Sequence, residues 1–266
     1  MNAFTESGLE YLALPAGFEE FSSAVNDCAA LKQIVFTGDF LETLNEWTFQ
    51  GVTAVAYYPA DNGTWTEDKL LDYGGDLTWV PYTEIPAYNP FDDVEFDAFY
   101  YDAVLWAVGE GITNGYGSDE TFAPMQGCTR EQVVTFLWRS AGKPAPTSNE
   151  NPFSDVEDGK WYTDAILWAV EKGITTGYLD TDLFGTGNEC TRAQIVTFLH
   201  RYAGEPAPVS GENPFEDMTE ADWFYYPVLW AVEEGITNGY GSDTIFNPEG
   251  ICTRGQIVTF LYRSRG

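Results

Sequence analysis

The chain has 266 residues, of which 42 are Asp or Glu and only 12 are Lys or Arg, so its formal net charge is -30. Such a charge repels phosphate backbones and anionic lipid headgroups, which argues against binding to nucleic acid or to a membrane surface. No apolar run reaches the roughly 18 residues that a membrane-spanning helix needs. The first residues also lack the basic and apolar regions of a secretory signal, so we expect an intracellular protein or a fragment of a longer exported one.

Residues 1–85 differ in kind from the rest of the chain. Two stretches, one from Tyr11 and one from Ile34, each carry a short apolar strand followed by a small-polar and aromatic segment. Their spacing of roughly 20 to 23 residues lies within the range of leucine-rich solenoids. Two repeats are too few for a stable array, so we expect the closing end of a longer one, followed by a linker over Pro81–Pro90.

The rest of the chain consists of three copies of one repeat, with no insertion or deletion between them. Each copy of the repeat predicts a helix, a loop and a second helix. The first helix contains the apolar LWAV sequence and ends at a glycine, and the loop is rich in Gly, Asp and Ser. The second helix begins at the C-T-R-x-Q motif. The motif threonine is the predicted N-cap, and the glutamine completes a capping box. Helices of about ten residues cannot bury their faces alone, so we expect the copies to pack around a pseudo-threefold axis. The predicted boundaries are 86–150 for repeat 1, 151–212 for repeat 2 and 213–266 for repeat 3.

Six of the seven arginines occupy only two positions of the repeat. The late arginines lie near the end of the second helix, where a cation complements the helix dipole; they are Arg139, Arg201 and Arg263. The early arginines lie in the first turn of that helix, where a positive charge costs roughly 0.3–1 kcal/mol; they are Arg130, Arg192 and Arg254.

Two explanations for the early arginines stay open at this point. A helix N-terminus together with a guanidinium fork is a receptor for a carboxylate or phosphate, which predicts an external anion. An internal ion pair with the NPFxD aspartates Asp93, Asp155 and Asp217 would serve equally well. The lip aromatics Phe99, Trp161 and Trp223, which precede the first helix, offer a sugar-stacking face, with burial in the core as the alternative.

Other candidates for chemistry indicate no catalytic residue, no metal and no cofactor. The four cysteines, Cys28, Cys128, Cys190 and Cys252, fit neither a disulfide scaffold nor the C-x-x-C spacing of metal and redox sites. The last three precede the motif threonines, where an apolar residue belongs, so we expect them to be small buried side chains. The last three are 62 residues apart, and a three-thiolate metal site at the axis is conceivable, although sulfur ligands are normally closer in sequence. The single histidine, His200, replaces an aromatic residue of the other copies, which favours packing over catalysis.

The repeat resembles the surface layer homology domain, whose hallmark is an I-T-R-A-E motif. The resemblance rests on a first helix ending in G-I-T-x-G-Y, a loop closing on a phenylalanine and a T-R-x-Q helix start, three times over residues 89–266. Residues 1–85 are similar to the C-terminal end of BspA-like leucine-rich repeat proteins. Together these resemblances imply a mainly α fold: a pseudo-threefold spindle of three helix-loop-helix units with a small β-rich or α+β leucine-rich remnant at the N-terminus.

The resemblance also implies a function, non-covalent anchoring of a surface protein to the Gram-positive cell wall. The implied ligand is an anionic, usually pyruvylated, secondary cell wall polysaccharide, and the leucine-rich part is a candidate contact for other surface proteins. The implied ligand-binding residues are the early arginines, the lip aromatics and the capping threonines Thr129, Thr191 and Thr253. Glutamine replaces the motif glutamate in every copy, and cysteine replaces the isoleucine. The alternatives are a protein-interaction scaffold and, third, a wall-modifying enzyme.

Overall fold

A computed structural model describes residues 8–18, 21, 25–117, 120–241 and 244–265. The chain divides into an N-terminal unit, Met1–Asn89, and a C-terminal unit, Pro90–Gly266. Across these described residues, no helix combines the length and the apolar character that crossing a membrane requires.

The N-terminal unit is built on a parallel sheet whose four strands pair in sequence order. Its register is regular, since Tyr11 lies opposite Gln33 and Gln33 lies opposite Val55. A single turn of 3-10 helix, Glu67–Lys69, precedes the last strand. The strands are β1 (Tyr11–Leu14), β2 (Gln33–Phe36), β3 (Thr53–Pro59) and β4 (Asp76–Tyr82).

Both faces of this sheet are covered. On one face an aromatic core packs around Phe36, whose ring centroid lies 4.9 Å from that of Trp65 and 5.7 Å from that of Trp79. On the other face the amide of Gln33 donates to the Ala87 carbonyl at 3.1 Å and accepts the Asn89 N–H at 3.1 Å. Because the chain returns across this second face, β2 is buried along its whole length.

The fold class expected from the sequence, mainly α with a leucine-rich remnant, is wrong. Of the residues that the structure describes, 25% are helical and 11% are in strands, and a four-stranded parallel sheet organises the described part of the N-terminal unit. The sequence indicated only two of the four strands and missed β3 and β4, because each strand is defined by pairing with a strand distant in the chain, which no local pattern shows. The six α-helices are only nine to eleven residues long, which keeps the helical share low.

Each repeat of the C-terminal unit contributes two of these helices. The first helices end at a glycine with positive φ: in repeat 1, the Gly111 N–H donates to the Val108 carbonyl and the Ile112 N–H to the Ala107 carbonyl. This Schellman arrangement satisfies carbonyls that the helix end would leave unpaired. The first helices are α1 (Tyr101–Gly109), α3 (Thr163–Glu171) and α5 (Tyr225–Glu233), and the second are α2 (Arg130–Ser140), α4 (Arg192–Tyr202) and α6 (Arg254–Arg263).

The three repeats close into a ring. Each first helix packs against the second helix of the preceding repeat, in the pairs α2 with α3, α4 with α5, and α6 with α1. At the axis, the backbone N–H of Cys128 donates to Cys252, that of Cys190 to Cys128, and that of Cys252 to Cys190, at 2.8–3.0 Å. This cycle of hydrogen bonds joins the three helix starts, and these three axial cysteines are fully buried and free.

The same loop geometry occurs in all three repeats and positions the start of each second helix. In repeat 2 both carboxylate oxygens of Asp155 accept backbone N–H groups, from Phe184 at 2.8 Å, Gly185 at 2.7 Å and Thr186 at 2.9 Å. Burial opposes ionisation of Asp155, but the backbone hydrogen bonds outweigh it and lower the pKa of that carboxyl. Asp93 and Asp217 hold the equivalent backbone of repeats 1 and 3.

We expect Asp155→Asn to lower the free energy of unfolding by about 1–2 kcal/mol, because an amide replaces a carboxylate that accepts three hydrogen bonds. A lowered carboxyl pKa stabilises the fold above the unfolded-state pKa, and this contribution is lost as the pH falls through the folded-state value. The difference between wild type and variant should therefore shrink in acid. Urea denaturation followed by helical circular dichroism checks this, with the exposed Asp182→Asn as control, and a difference that persists in acid contradicts the assignment.

We expect the axial cysteines to resist alkylation in the folded protein. Burial raises the pKa of all three thiols, to about 12 for Cys252, and the thiolate is the reactive form. Iodoacetamide at mildly alkaline pH should leave them unmodified until guanidinium unfolds the chain, as read by peptide mass spectrometry. Labelling of an axial cysteine under native conditions would show that the ring opens.

Candidate functional site: grooves between the repeats

Each early arginine is buried and reaches into the next repeat. Their relative exposures are only 2–3%. Arg130 Nε donates to the carbonyl of Phe184 at 2.8 Å, Arg192 Nε to that of Phe246 at 2.8 Å, and Arg254 Nε to that of Phe122 at 2.8 Å. The third bond runs from repeat 3 back to repeat 1, so the arginines form a second closed cycle around the ring.

Aromatic rings surround each guanidinium. The Arg130 guanidinium carbon lies 4.5 Å from the ring centroid of Tyr178, 5.2 Å from Phe184 and 5.3 Å from Phe198. Equivalent rings surround Arg192 and Arg254. Ring faces attract a cation electrostatically, which offsets part of its desolvation. Burial nonetheless lowers the pKa of Arg192 and Arg254.

The NPFxD aspartates are not ion-pair partners of the early arginines. Among the described residues no carboxylate lies within 4.0 Å of an early arginine's side-chain nitrogens. The aspartates instead accept backbone N–H groups of the loop phenylalanines, whose carbonyls accept the arginine Nε. Aspartate and arginine therefore hold the same peptide backbone from opposite sides, and among the described residues the guanidinium has no carboxylate in direct contact, although the charges of Asp217 and Asp93 act on Arg192 and Arg254 from a distance.

The capping threonines hold the helix starts. All three take part in the predicted capping box, with the glutamine accepting the threonine N–H at 3.1–3.2 Å. None of them lines either of the two cavities described below. Their role as ligand contacts stays a prediction.

In the described part of the chain, two cavities open beside early arginines, and each is built from all three repeats. The Arg130 groove, about 490 Å³, takes its arginine from repeat 1, its loop and helix walls from repeat 2 and Trp223 from repeat 3. The Arg254 groove, about 250 Å³, takes its arginine from repeat 3, its walls from repeat 1 and Trp161 from repeat 2. From the 62-residue period we expect an equivalent Arg192 groove, with walls from repeat 3 and Phe99 of repeat 1 at its lip.

The lip aromatics are exposed at these grooves. Trp161 is 54% exposed, Trp223 60% and Phe99 61%, and each packs edge-on against the aromatic residue that follows it. Of the two interpretations of these residues, the structure supports an exposed face over burial in the core.

The late arginines also line the grooves, which the sequence did not indicate. Arg139 lies in the wall of the Arg254 groove and Arg201 in that of the Arg130 groove. Their Nη1 atoms donate to the carbonyls of Ile112 at 3.0 Å and Ile174 at 3.2 Å. Arg201 Nε also lies 3.9 Å from a carboxylate oxygen of the exposed Glu205. Early and late arginines face opposite sides of one helix, yet they meet because each groove takes them from different repeats.

The groove walls carry positive but no negative charge among the described residues. Each of the two cavities is lined by two arginines, and neither lining includes Asp or Glu. Gln132 and Gln194, the residues in place of the motif glutamate, lie in these walls. In a chain of net charge -30, these grooves are thus cationic recesses with an aromatic lip. No cluster of His, Cys, Asp or Glu suited to a metal ion occurs in the described part of the chain, the axial cysteines included.

Comparison with known proteins places the repeats in a family. The model of the S-layer homology domain matches residues 90–134, 152–196 and 214–258, about half of the chain. A cell surface protein of Thermoanaerobacter kivui is 30% identical over 182 residues, covering 67% of this chain and 21% of that protein. The exoglucanase XynX of Acetivibrio thermocellus is 27% identical over 193 residues, covering 70% of this chain and 17% of the enzyme. An S-layer protein of Bacillus thuringiensis subsp. finitimus is 34% identical over 110 residues, covering 41% and 13%.

The matched part is therefore about a fifth or less of these relatives' own length. The similarity of residues 1–85 to leucine-rich proteins is not shown by these matches. Three matched repeats, each with its T-R-x-Q helix start and its buried arginine, show that the chain belongs to the S-layer homology domain family.

Proposed function

We propose that the C-terminal unit binds an acidic polysaccharide of the Gram-positive cell wall and so holds a surface protein non-covalently at the cell exterior. The observation that carries this proposal is the groove itself: two guanidinium groups and an exposed tryptophan around a cavity with no acidic residue in its described walls. The best-fitting ligand is a sugar bearing a single carboxylate, such as a pyruvate ketal, because one carboxylate fits between two guanidinium groups.

The chemistry of the early arginines supports an anionic ligand. Their Nε atoms are engaged by loop carbonyls, which fixes the plane of each guanidinium and aims its terminal nitrogens toward the groove. A guanidinium fixed in this way binds a carboxylate with little further loss of side-chain entropy. The loss of dipole energy at the helix start is then offset by the bound anion.

The aromatic lip supports a carbohydrate in particular. An exposed indole presents a flat apolar face that covers the C–H face of a sugar ring, while its N–H can donate to a hydroxyl. The combination of a cationic base and an aromatic rim matches an acidic sugar better than a free inorganic anion. The acidic surface outside the grooves would disfavour nonspecific attachment to other anionic wall polymers.

The relatives support attachment without catalysis. The similar proteins carry names as different as S-layer protein and exoglucanase, and the shared part is a small share of each. A module common to proteins of such different names is better explained by a shared location than by a shared reaction. We therefore propose that this unit has no enzymatic activity of its own, that its site residues are the early arginines with the lip tryptophans, and that the capping threonines support them.

We expect the double variant Trp161→Ala, Trp223→Ala to weaken binding to purified Gram-positive walls about tenfold or more, because each substitution removes an exposed stacking face. Cosedimentation of the full chain with walls measures this. Walls stripped of their polysaccharide should no longer retain the wild-type chain.

The matched control is Trp47→Ala, which removes a tryptophan of similar exposure, 55%, from the N-terminal unit and should leave retention unchanged. Equal retention by stripped and intact walls would overturn glycan binding. Release of soluble sugar from the same walls by the purified chain would overturn the non-catalytic assignment.

A further inference from the structure

We infer that the three grooves are unequal, with the Arg130 groove as the main carboxylate site, the Arg254 groove as a weaker one and the Arg192 groove contributing little. This inference rests on the proposed function, because it ranks the grooves for the same acidic ligand. Four features that differ among the repeats carry it.

The first feature is how far the protein itself occupies the guanidinium. Arg192 Nη2 donates to the Thr237 hydroxyl at 3.4 Å and to the Gly239 carbonyl at 3.2 Å. Arg254 Nη2 donates only to the Gly115 carbonyl, at 3.3 Å. The terminal nitrogens of Arg130 make no hydrogen bond to the described part of the chain. Within that part, the Arg130 side chain donates a hydrogen bond only from Nε. Arg130 thus offers a carboxylate the most unused donors, and Arg192 the fewest.

The second feature is the lip aromatic. The Arg130 and Arg254 grooves end in tryptophans, Trp223 and Trp161, which provide both a wide stacking face and an N–H donor. Phe99 occupies the equivalent position at the Arg192 groove, with similar exposure. A phenyl ring has a smaller face and no donor, so it binds a hydroxylated sugar less well.

The third feature is a tether on the tyrosine beside each guanidinium. Asn188 Nδ2 donates to the Tyr178 hydroxyl at 3.2 Å in the Arg130 groove, and Gln126 Nε2 does the same for Tyr116 in the Arg254 groove. The corresponding residue of repeat 3 is Gly250, which has no side chain to hold Tyr240. The tethered rings are fixed before a ligand arrives, which lowers the ordering cost of binding.

The fourth feature is space. The Arg130 groove is about twice as large as the Arg254 groove, at about 490 Å³ against 250 Å³. Leu179, 87% exposed, extends its wall where the other loops have Gly117 and Gly241. The carboxylate of Glu205 lies 3.9 Å from Arg201 Nε beside this wall, and it is exposed enough for solvent to screen it.

The two lip tryptophans make the grooves separately observable. We propose to titrate the full chain with the methyl glycoside of a pyruvate-ketal hexose and to follow the indole N–H resonances by NMR, assigned with Trp161→Phe and Trp223→Phe. We expect the Trp223 signal to reach half-saturation at about tenfold lower concentration than the Trp161 signal, the effect of one further charge-assisted hydrogen bond. In Phe99→Trp, the new indole should report the weakest binding of the three.

A pair of matched variants separates binding from folding. Arg130→Lys loses the 2.8 Å bond from Nε to a loop carbonyl, whereas Arg192→Lys loses the equivalent bond and also the Nη2 bonds to Thr237 and Gly239, so Arg192→Lys should lower thermal stability at least as much. We expect Arg130→Lys to lower the overall affinity about tenfold and to remove the Trp223 response, with Trp161 unaffected. Arg192→Lys should weaken binding at its own groove and therefore lower the overall affinity much less than Arg130→Lys does.

The outcomes are distinct from those that test wall binding. Equal half-saturation at all grooves, tightest binding at the Phe99→Trp reporter, or equal affinity loss in the two lysine variants overturns the ranking while wall attachment stands. If neither tryptophan resonance responds to the sugar while cell walls still retain the chain, the ranking is also overturned, because the carboxylate site then lies elsewhere. If neither tryptophan resonance responds and the chain also fails to sediment with cell walls, both the ranking and the proposed function are overturned.

Discussion

The C-terminal unit depends on a guanidinium that one repeat buries in the next. Each early arginine uses its Nε to bind a loop carbonyl across the interface, and its own backbone N–H donates to a carbonyl of the same neighbouring repeat at 2.9 Å. The first of these bonds is charge-assisted, and both lie where water is largely excluded. Because repeat 3 also bonds to repeat 1, each repeat makes this contact with a neighbour on both sides. The short helices therefore pack against helices of other repeats, which stabilises them.

The same contact explains why a positive charge is tolerated at a helix N-terminus. Aspartate, loop backbone and arginine form a chain in which the carboxylate accepts N–H groups and the opposite carbonyl accepts Nε. Hydrogen bonding to charged groups on both sides of one peptide polarises it, so the two contacts reinforce each other. The aspartate does not neutralise the guanidinium directly, and the positive potential therefore extends into the groove.

The sequence indicated the parts of this site that are local. The capping boxes and the helix-ending glycines depend on residues within a few positions of one another, and the 62-residue period follows from comparing the copies. The early arginines were recognisable because they violate the dipole rule. The groove depends instead on contacts across 54 or 132 residues, such as Arg130 with Phe184 and Arg254 with Phe122. From the sequence, the late arginines were interpreted only as cations that complement the helix dipole. No local pattern shows that an arginine of a neighbouring repeat lies in the same groove. The doubly covered sheet of the N-terminal unit was misjudged for a related reason, since its strands are defined by distant partners.

Several differences among the repeats lie at the exposed mouths of the grooves, although one contact between repeats also differs: buried Glu131 accepts the Gly187 N–H, where repeats 2 and 3 have Ala193 and Gly255. The arginine, the loop phenylalanine, the aspartate and the axial cysteine are identical in all three copies. The arginine, the phenylalanine and the cysteine make the contacts between repeats that close the ring, and the aspartate holds the phenylalanine within its own repeat. The lip aromatic, the tyrosine tether and the loop residue at Leu179 vary, and all three lie at the exposed mouth of a groove. Substitution at the mouth alters ligand contacts at little cost to stability, whereas substitution of the arginine alters both. A fold built from three similar repeats can therefore hold grooves of different affinity for a ligand. The residues that assemble the ring and those that set the affinity of each groove are largely separate.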